Sequence, residues 1–172
     1  MLNNVKLPKL IIIIGPTGSG KSSLAVNLAR QFNGEVISAD SRQVYKGLNI
    51  GSGKITKREM KGVPHYLLDV ASPKKTFTIT QYQKLASIAL NKIWQKNKLP
   101  ILCGGTGFYV HAVLSGTSYQ SVKPNLKLRR ALEKLSAQEL FNKLKKLDLK
   151  RAATIQKENK RRLIRALEII HE

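Results

Sequence analysis

Eight residues, Gly15-Pro16-Thr17-Gly18-Ser19-Gly20-Lys21-Ser22, constrain this chain more than any others. They match the pattern G-x-x-x-x-G-K-[ST] at every fixed position. Residues 10–14 before them are an apolar run that reads as a buried parallel strand, and residues 23–32 after them read as a helix. In that setting the glycines let the backbone wrap around a phosphate. Its N–H groups point inward, the helix start adds partial positive charge, and Lys21 adds a full one. Ser22 is placed to ligate magnesium. The plain alternative is a glycine-rich turn with an exposed lysine; the strand–turn–helix context favours the phosphate site.

The rest of the first two-thirds alternates in the same way. Strands are expected over 35–40, 65–70 and 99–103. Thr78-Ile79-Thr80-Gln81 opens a helix with a capping box, and that helix runs to about Lys96. Gly104-Gly105-Thr106-Gly107 is a second glycine-rich turn, leading into an apolar helix over 108–114. Residues 54–62 read as a surface turn or short helix. Strands alternating with helices imply a parallel sheet covered on both faces. The fold class is therefore α/β, a P-loop NTPase-like parallel sheet flanked by helices. From Pro124 the pattern becomes helical and highly charged, with Ser136-Ala137-Gln138-Glu139 as another capping box and Asn159 as a cap. This gives a core over 1–120, a small helical appendage over 121–158, and a helix over 159–172 returning to the core.

Lysine and arginine total 31 against 10 acids in 172 residues, a net charge of +21. Such an excess points to a polyanionic partner, of which nucleic acid is the usual one. The competing reading is a solvated basic surface. No apolar run reaches the roughly 18 residues of a membrane span. The N-terminus lacks a signal-peptide layout, so a cytoplasmic protein is the simplest reading. Cys103 is the only cysteine, which excludes an internal disulfide and a cysteine-based zinc site.

Phosphate-loop ATPases usually hold magnesium through an acid at the end of a second buried strand. Here the strand over 99–103 ends in Gly104-Gly105-Thr106, which argues against a motor or switch ATPase. Asp40, at the C-terminal end of its strand, lies where open α/β sheets place their ligands. Three roles are open to it on position alone: a general base, a magnesium ligand, or a loop cap. His65 reads equally as a structural histidine or a substrate contact. Tyr45, Phe108 and Tyr109 read as core aromatics, and Lys143, Lys145 and Lys146 as a solvated helix face.

Together these stretches resemble the tRNA dimethylallyltransferase family, also called tRNA isopentenyltransferase. Besides the phosphate loop, the resemblance rests on Ser38-Ala39-Asp40-Ser41-Arg42-Gln43-Val44-Tyr45 and Pro64-His65-Tyr66-Leu67-Leu68-Asp69. Gly104-Gly105-Thr106-Gly107-Phe108-Tyr109 and Arg162-Leu163-Ile164-Arg165-Ala166-Leu167-Glu168 complete it, in the family's order. The resemblance implies transfer of a dimethylallyl group from dimethylallyl diphosphate to N6 of the adenine beside the anticodon. It implies that Gly15 and Thr17 to Ser22 hold the donor diphosphate with magnesium. It makes Asp40 the base, with Thr106 beside the substrate path. Ser41, Arg42 and Gln43 would help hold the adenine. Arg129 and the stretch Arg161, Arg162, Leu163, Ile164 and Arg165 would contact the tRNA anticodon arm, with the protein acting as a monomer.

The family usually runs to roughly 300 residues, against the 100–200 typical of one domain. This chain ends at Glu172, just after the arginine-bearing helix, and reads as a fragment or a reduced gene product. Missing helices would leave leaving-group stabilisation incomplete, so weak or absent prenyl transfer is expected of the isolated chain. Competing readings are a small-molecule P-loop kinase, an adenylate isopentenyltransferase acting on free AMP, and a tRNA-binding remnant without catalysis. The kinase shares the loop but leaves the charge unexplained.

Overall fold

The computed structural model describes residues 9–115, 122 and 124–171. The chain divides into two compact units, Met1–Tyr119 and Gln120–Glu172. The first contains strands β1 (Ile11–Ile14), β2 (Gly34–Ser38), β3 (His65–Tyr66) and β4 (Leu99–Gly104), with helices α1 (Lys21–Gln31), α2 (Lys57–Met60), α3 (Ile79–Gln95) and α4 (Gly107–Leu114). The strands form one parallel sheet in the order β1-β4-β2-β3.

Successive residues of a strand face opposite sides, and the two central strands use both. Val36, Ile101 and Cys103 pack with Ala25, Val26 and Ala29 of α1. Ile37 and Leu102 face the other way, onto Tyr82, Ala86 and Ile93 of α3 and Tyr109 and Val110 of α4. Thr78 caps α3 through the expected capping box. Tyr82 and Tyr109 stack with ring centroids 3.8 Å apart, and the Tyr82 hydroxyl donates to the Ser38 carbonyl at 3.0 Å.

Several local expectations are corrected. β1 is only half buried: Ile11 and Ile13 pack on the α1 side, whereas Ile12 and Ile14 are 38% and 57% exposed. The cause is its position at the sheet edge among the described residues. β3 stops at Tyr66 instead of running to Val70, because Leu67 and Asp69 take left-handed backbone conformations with φ of 64° and 56°. Residues with side chains pay a steric penalty there, and here two contacts reward it. Leu67 enters the core, and the Asp69 carboxylate reaches Lys54 Nζ at 2.6 Å. Helix α1 begins at Lys21, two residues earlier than expected.

The second unit holds α5 (Leu126–Leu132), α6 (Ala137–Leu147), α7 (Leu149–Thr154) and α8 (Lys160–Ile170). Ser136 supplies the expected capping box and Asn159 caps α8 by accepting from the Arg162 N–H. Segments 121–158 and 159–172, expected as separate pieces, share one apolar cluster. Leu132, Leu140, Leu144, Ala152, Leu163, Ile164 and Leu167 close it. Leu147, the last residue of α6, is 52% exposed. Among the described residues no helix is long and apolar enough to cross a membrane.

A buried carboxylate ties the far end of the sheet together. Glu35, 1% exposed, accepts from the Tyr66 hydroxyl at 2.6 Å, Lys98 at 2.8 Å and Lys96 at 3.0 Å. Burial alone would raise its pKa. The bonds from Lys98, Tyr66 and Lys96 outweigh burial and bring it to about 2. A depressed carboxylate contributes stability that is complete above its unfolded value and is lost as pH falls through the folded one. The resistance of the first unit to urea should therefore fall between about pH 4.5 and about pH 2. Glu35→Gln should be less stable at neutral pH and should flatten that acid limb; an unchanged limb would refute the assignment.

Candidate active site

Open parallel sheets place ligands beyond the C-terminal ends of their strands, and here three loops meet at that end. The first follows β1. Gly18 and Gly20 have φ of 83° and 78°, which glycine adopts without strain. Gly20 precedes α1 as a cap with no side chain, so nothing from that position covers the helix's first N–H groups. Ser19 Oγ donates to the Pro16 carbonyl at 2.9 Å. Lys21 Nζ folds over the loop, donating to the same carbonyl and to Ser19 Oγ.

The second loop follows β2. Asp40 Oδ1 accepts from the N–H groups of Arg42 at 2.8 Å and Gln43 at 3.3 Å. Asp40 is thus a loop cap through one oxygen, which leaves Oδ2 for other chemistry. Gln43 Nε2 donates to the Gly53 carbonyl at 3.2 Å. Lys54, 5% exposed at its side chain, donates to the Tyr45 carbonyl at 2.7 Å as well as to Asp69. Residues 40–54 are therefore laced to the turn after β3.

The third loop follows β4. The Ser41 N–H donates to Thr106 Oγ1 at 3.0 Å, and Thr106 Oγ1 lies 3.3 Å from Ser41 Oγ. The Thr106 hydroxyl faces the Asp40 loop and makes no capping bond to α4. The Thr106 N–H donates to the Ala39 carbonyl at 3.0 Å. A Cβ on Gly104 would lie 2.2 Å from that same Ala39 oxygen, so only glycine fits.

A cavity of about 300 Å³ opens among these loops. Thr17, Gly18, Gly20, Lys21, Ser22, Asp40 and Gln43 line it, together with Gly53, Ile55, Glu59, Cys103 and Gly104. Ser19, Ser41 and Arg42 stand in the loops beside it. Glu59, Gly53 and Ile55 were missed by sequence reading. Their segment reads as a charged turn, and only the fold turns it toward the phosphate loop. The Glu59 carboxylate accepts from the N–H and hydroxyl of Thr56, which hold its pKa below the ordinary range. Cys103 is a poor nucleophile, because burial pushes its thiol up to about 11.

Other candidates separate clearly. His65 Nδ1 lies 2.8 Å from the Val63 carbonyl, and burial holds its pKa below the usual value, so a neutral structural role fits it. Tyr109 is core, as expected, whereas Phe108 is 56% exposed. Arg161 and Arg162 of α8 are exposed. Leu163 and Ile164 in the same stretch are closed into the core of the second unit, so their side chains cannot meet RNA without unpacking it. Arg129 and Arg165 both pair with Glu168. Lys143, Lys145 and Lys146 form a solvated helix face.

Magnesium prefers a few hard oxygen ligands and shares its shell with phosphate oxygens. The Ser22 hydroxyl and the Asp40 carboxylate line the cavity and suit that chemistry. Among the described residues no group of three or more His, Cys, Asp or Glu gathers for a metal.

Fold and site define an α/β protein of P-loop-like fold whose cavity joins a glycine-rich strand–helix turn to a strand-end carboxylate. The sequence pattern described as IPP transferase matches residues 43–172, and the chain belongs to that family. It is 46% identical over 166 residues to a tRNA dimethylallyltransferase of Halalkalibacterium halodurans, covering 94% of this chain and 53% of that protein. It is 42% identical over 165 residues to one from Thermoanaerobacter sp. strain X514, covering 94% and 52%. A solved tRNA isopentenylpyrophosphate transferase from Bacillus halodurans matches with TM-score 0.66 and 45% identity, over 96% of this chain and 56% of that one. A eukaryotic dimethylallyltransferase acting on tRNA matches with TM-score 0.81 and 33% identity, over 95% and 41%. The chain spans about half the length of the curated relatives it matches.

Gly104→Ala tests the convergence of the loops. The new methyl group meets backbone, so the loss should equal or exceed the roughly 1–3 kcal/mol of ordinary overpacking. A thermal melt that leaves the midpoint unchanged would contradict the Gly104–Ala39 approach.

Proposed function

We propose that this chain carries the donor-binding and base-bearing part of a tRNA dimethylallyltransferase. Lys21, Ser22 and Asp40 lining one cavity is the observation that carries this reading. The phosphate loop takes the diphosphate of dimethylallyl diphosphate. N6 of the tRNA adenine attacks the allylic C1, the C1–O bond breaks, and diphosphate leaves onto the loop. The N6 proton passes to Asp40 Oδ2, and Thr106 with Ser41 holds the loop that aims it. Lys21 and the N–H groups of α1 stabilise negative charge as it grows on the leaving oxygens. When bound, magnesium neutralises the diphosphate, with Ser22 as its protein ligand.

An adenine stacked in an anticodon loop cannot enter such a cavity. It must be extruded, at a cost of a few kcal/mol. The net charge of +21 supports backbone contacts that offset this cost. Single-stranded loops are the kind of RNA that proteins read by splayed bases. A free nucleotide would need no such charge.

The test mixes the chain in excess with labelled dimethylallyl diphosphate, magnesium and unmodified tRNA, and follows a single turnover. Slow formation of prenylated tRNA is expected. Asp40→Asn keeps an acceptor for the Arg42 and Gln43 N–H groups but loses the base, so the rate should fall by about 10² or more. A nucleoside triphosphate bound in preference, with no affinity for the isoprenoid, would overturn the reading in favour of a kinase.

A further inference from the structure

Glu168 is a buried carboxylate that does not line the cavity, and it accepts four hydrogen bonds from three residues. It is 2% exposed. Its Oε1 accepts from the Asn125 N–H at 2.6 Å and from Arg129 Nε at 2.8 Å. Its Oε2 accepts from Arg129 Nη2 at 2.8 Å and Arg165 Nη1 at 2.5 Å. Arg165 Nη2 donates on to the Val122 carbonyl at 2.9 Å. The bonds from Arg129, reinforced by Arg165 and Asn125 against the opposing effect of burial, bring the Glu168 pKa to about 2. It is ionised throughout the physiological range.

Stability is a weak reason for such a cluster. A buried ion group is often no better than apolar residues of similar volume, because desolvation opposes the Coulomb gain. Orientation is a stronger reason. An arginine fork recognises phosphate by planar, two-pronged geometry, and it does so best when its rotamer is already chosen. Arg129 spends Nε and Nη2 on Glu168, which leaves its Nη1 outside the clamp. The Arg129 and Arg165 side chains are 35% and 36% exposed. They belong to α5 and α8, and one carboxylate sets both. The surrounding unit is strongly basic, and the next residues along α8, Arg161 and Arg162, are exposed.

We infer that Glu168 is a positioning residue that presents Arg129 and Arg165 as a fixed pair to the RNA backbone. The inference rests on the tRNA reading above. It makes a prediction opposite to simple electrostatics, because Glu168→Gln removes a negative charge. If charge alone governed binding, the more basic variant would bind RNA as tightly or more tightly.

The experiment measures affinity for an anticodon stem-loop and for an unstructured poly(U) of equal length, with wild type and E168Q, after circular dichroism has established folding. Losing an oriented charged contact should weaken stem-loop binding about tenfold while poly(U) binding holds or strengthens. Folded E168Q binding the stem-loop as tightly as wild type would overturn the inference. Should E168Q fail to fold, the double variant R129K/R165K decides. It retains both charges without the fork, and it should show the same loss of preference; an unchanged preference overturns the inference. Wild type that does not prefer the stem-loop over poly(U) would instead sink the tRNA reading beneath it, and the inference with it.

Discussion

The carbonyl of Ala39 and the backbone of Gly104 lie too close for any side chain between them, and the arrangement of the loops around the cavity depends on that approach. It lets the turn after β4 fold over the end of β2. The Thr106 N–H then reaches the Ala39 carbonyl, and the Ser41 N–H reaches Thr106 Oγ1. Because β4 lies between β1 and β2 in the sheet, the same turn also borders the phosphate loop. A Cβ on Gly105 would meet the Gly15 carbonyl at 3.3 Å. The glycine-rich turn after β1 and a carboxylate from a different strand end thus share one cavity. Neither would do the proposed chemistry alone.

Each unit is also organised around a buried carboxylate with several donors. Glu35 joins the start of β2 to Tyr66 and to Lys96 and Lys98 in the connection between α3 and β4. Glu168 joins α8 to α5 and to the segment just before it. In both cases cationic partners outweigh burial and keep the group ionised. The consequences differ. Glu35 sits among partners that fasten the sheet, whereas the partners of Glu168 are arginines whose side chains stay about a third exposed.

Asp40 fills one of the three roles its position allowed, that of a loop cap. Its Oδ1 is a cap, and the cap is what fixes the direction of Oδ2. Lys54 and Asp69 support the same loop from behind, at the expense of a left-handed turn at Asp69. Strain of that kind persists only where its surroundings over-determine it, and here the surroundings are Lys54 and the Gln43 carbonyl, which accepts from the Asp69 N–H.

The local signals were legible because they are carried by neighbours in sequence. The Gly15 to Ser22 motif, the capping boxes at Thr78 and Ser136, and the alternation of strands and helices each need only a few consecutive residues to be recognised. So did Asp40, since a strand-end acid is visible as such. What sequence could not show depended on pairs far apart in the chain. The edge position of β1, the early end of β3 and the entry of Glu59 into the cavity all follow from packing against distant segments. The same holds for the arginines on Glu168, separated from it by 39 residues in the case of Arg129. Periodicity reports which residues share a face; only the closed tertiary structure decides what that face meets, because burial and hydrogen-bond partners are properties of chain segments brought together in space.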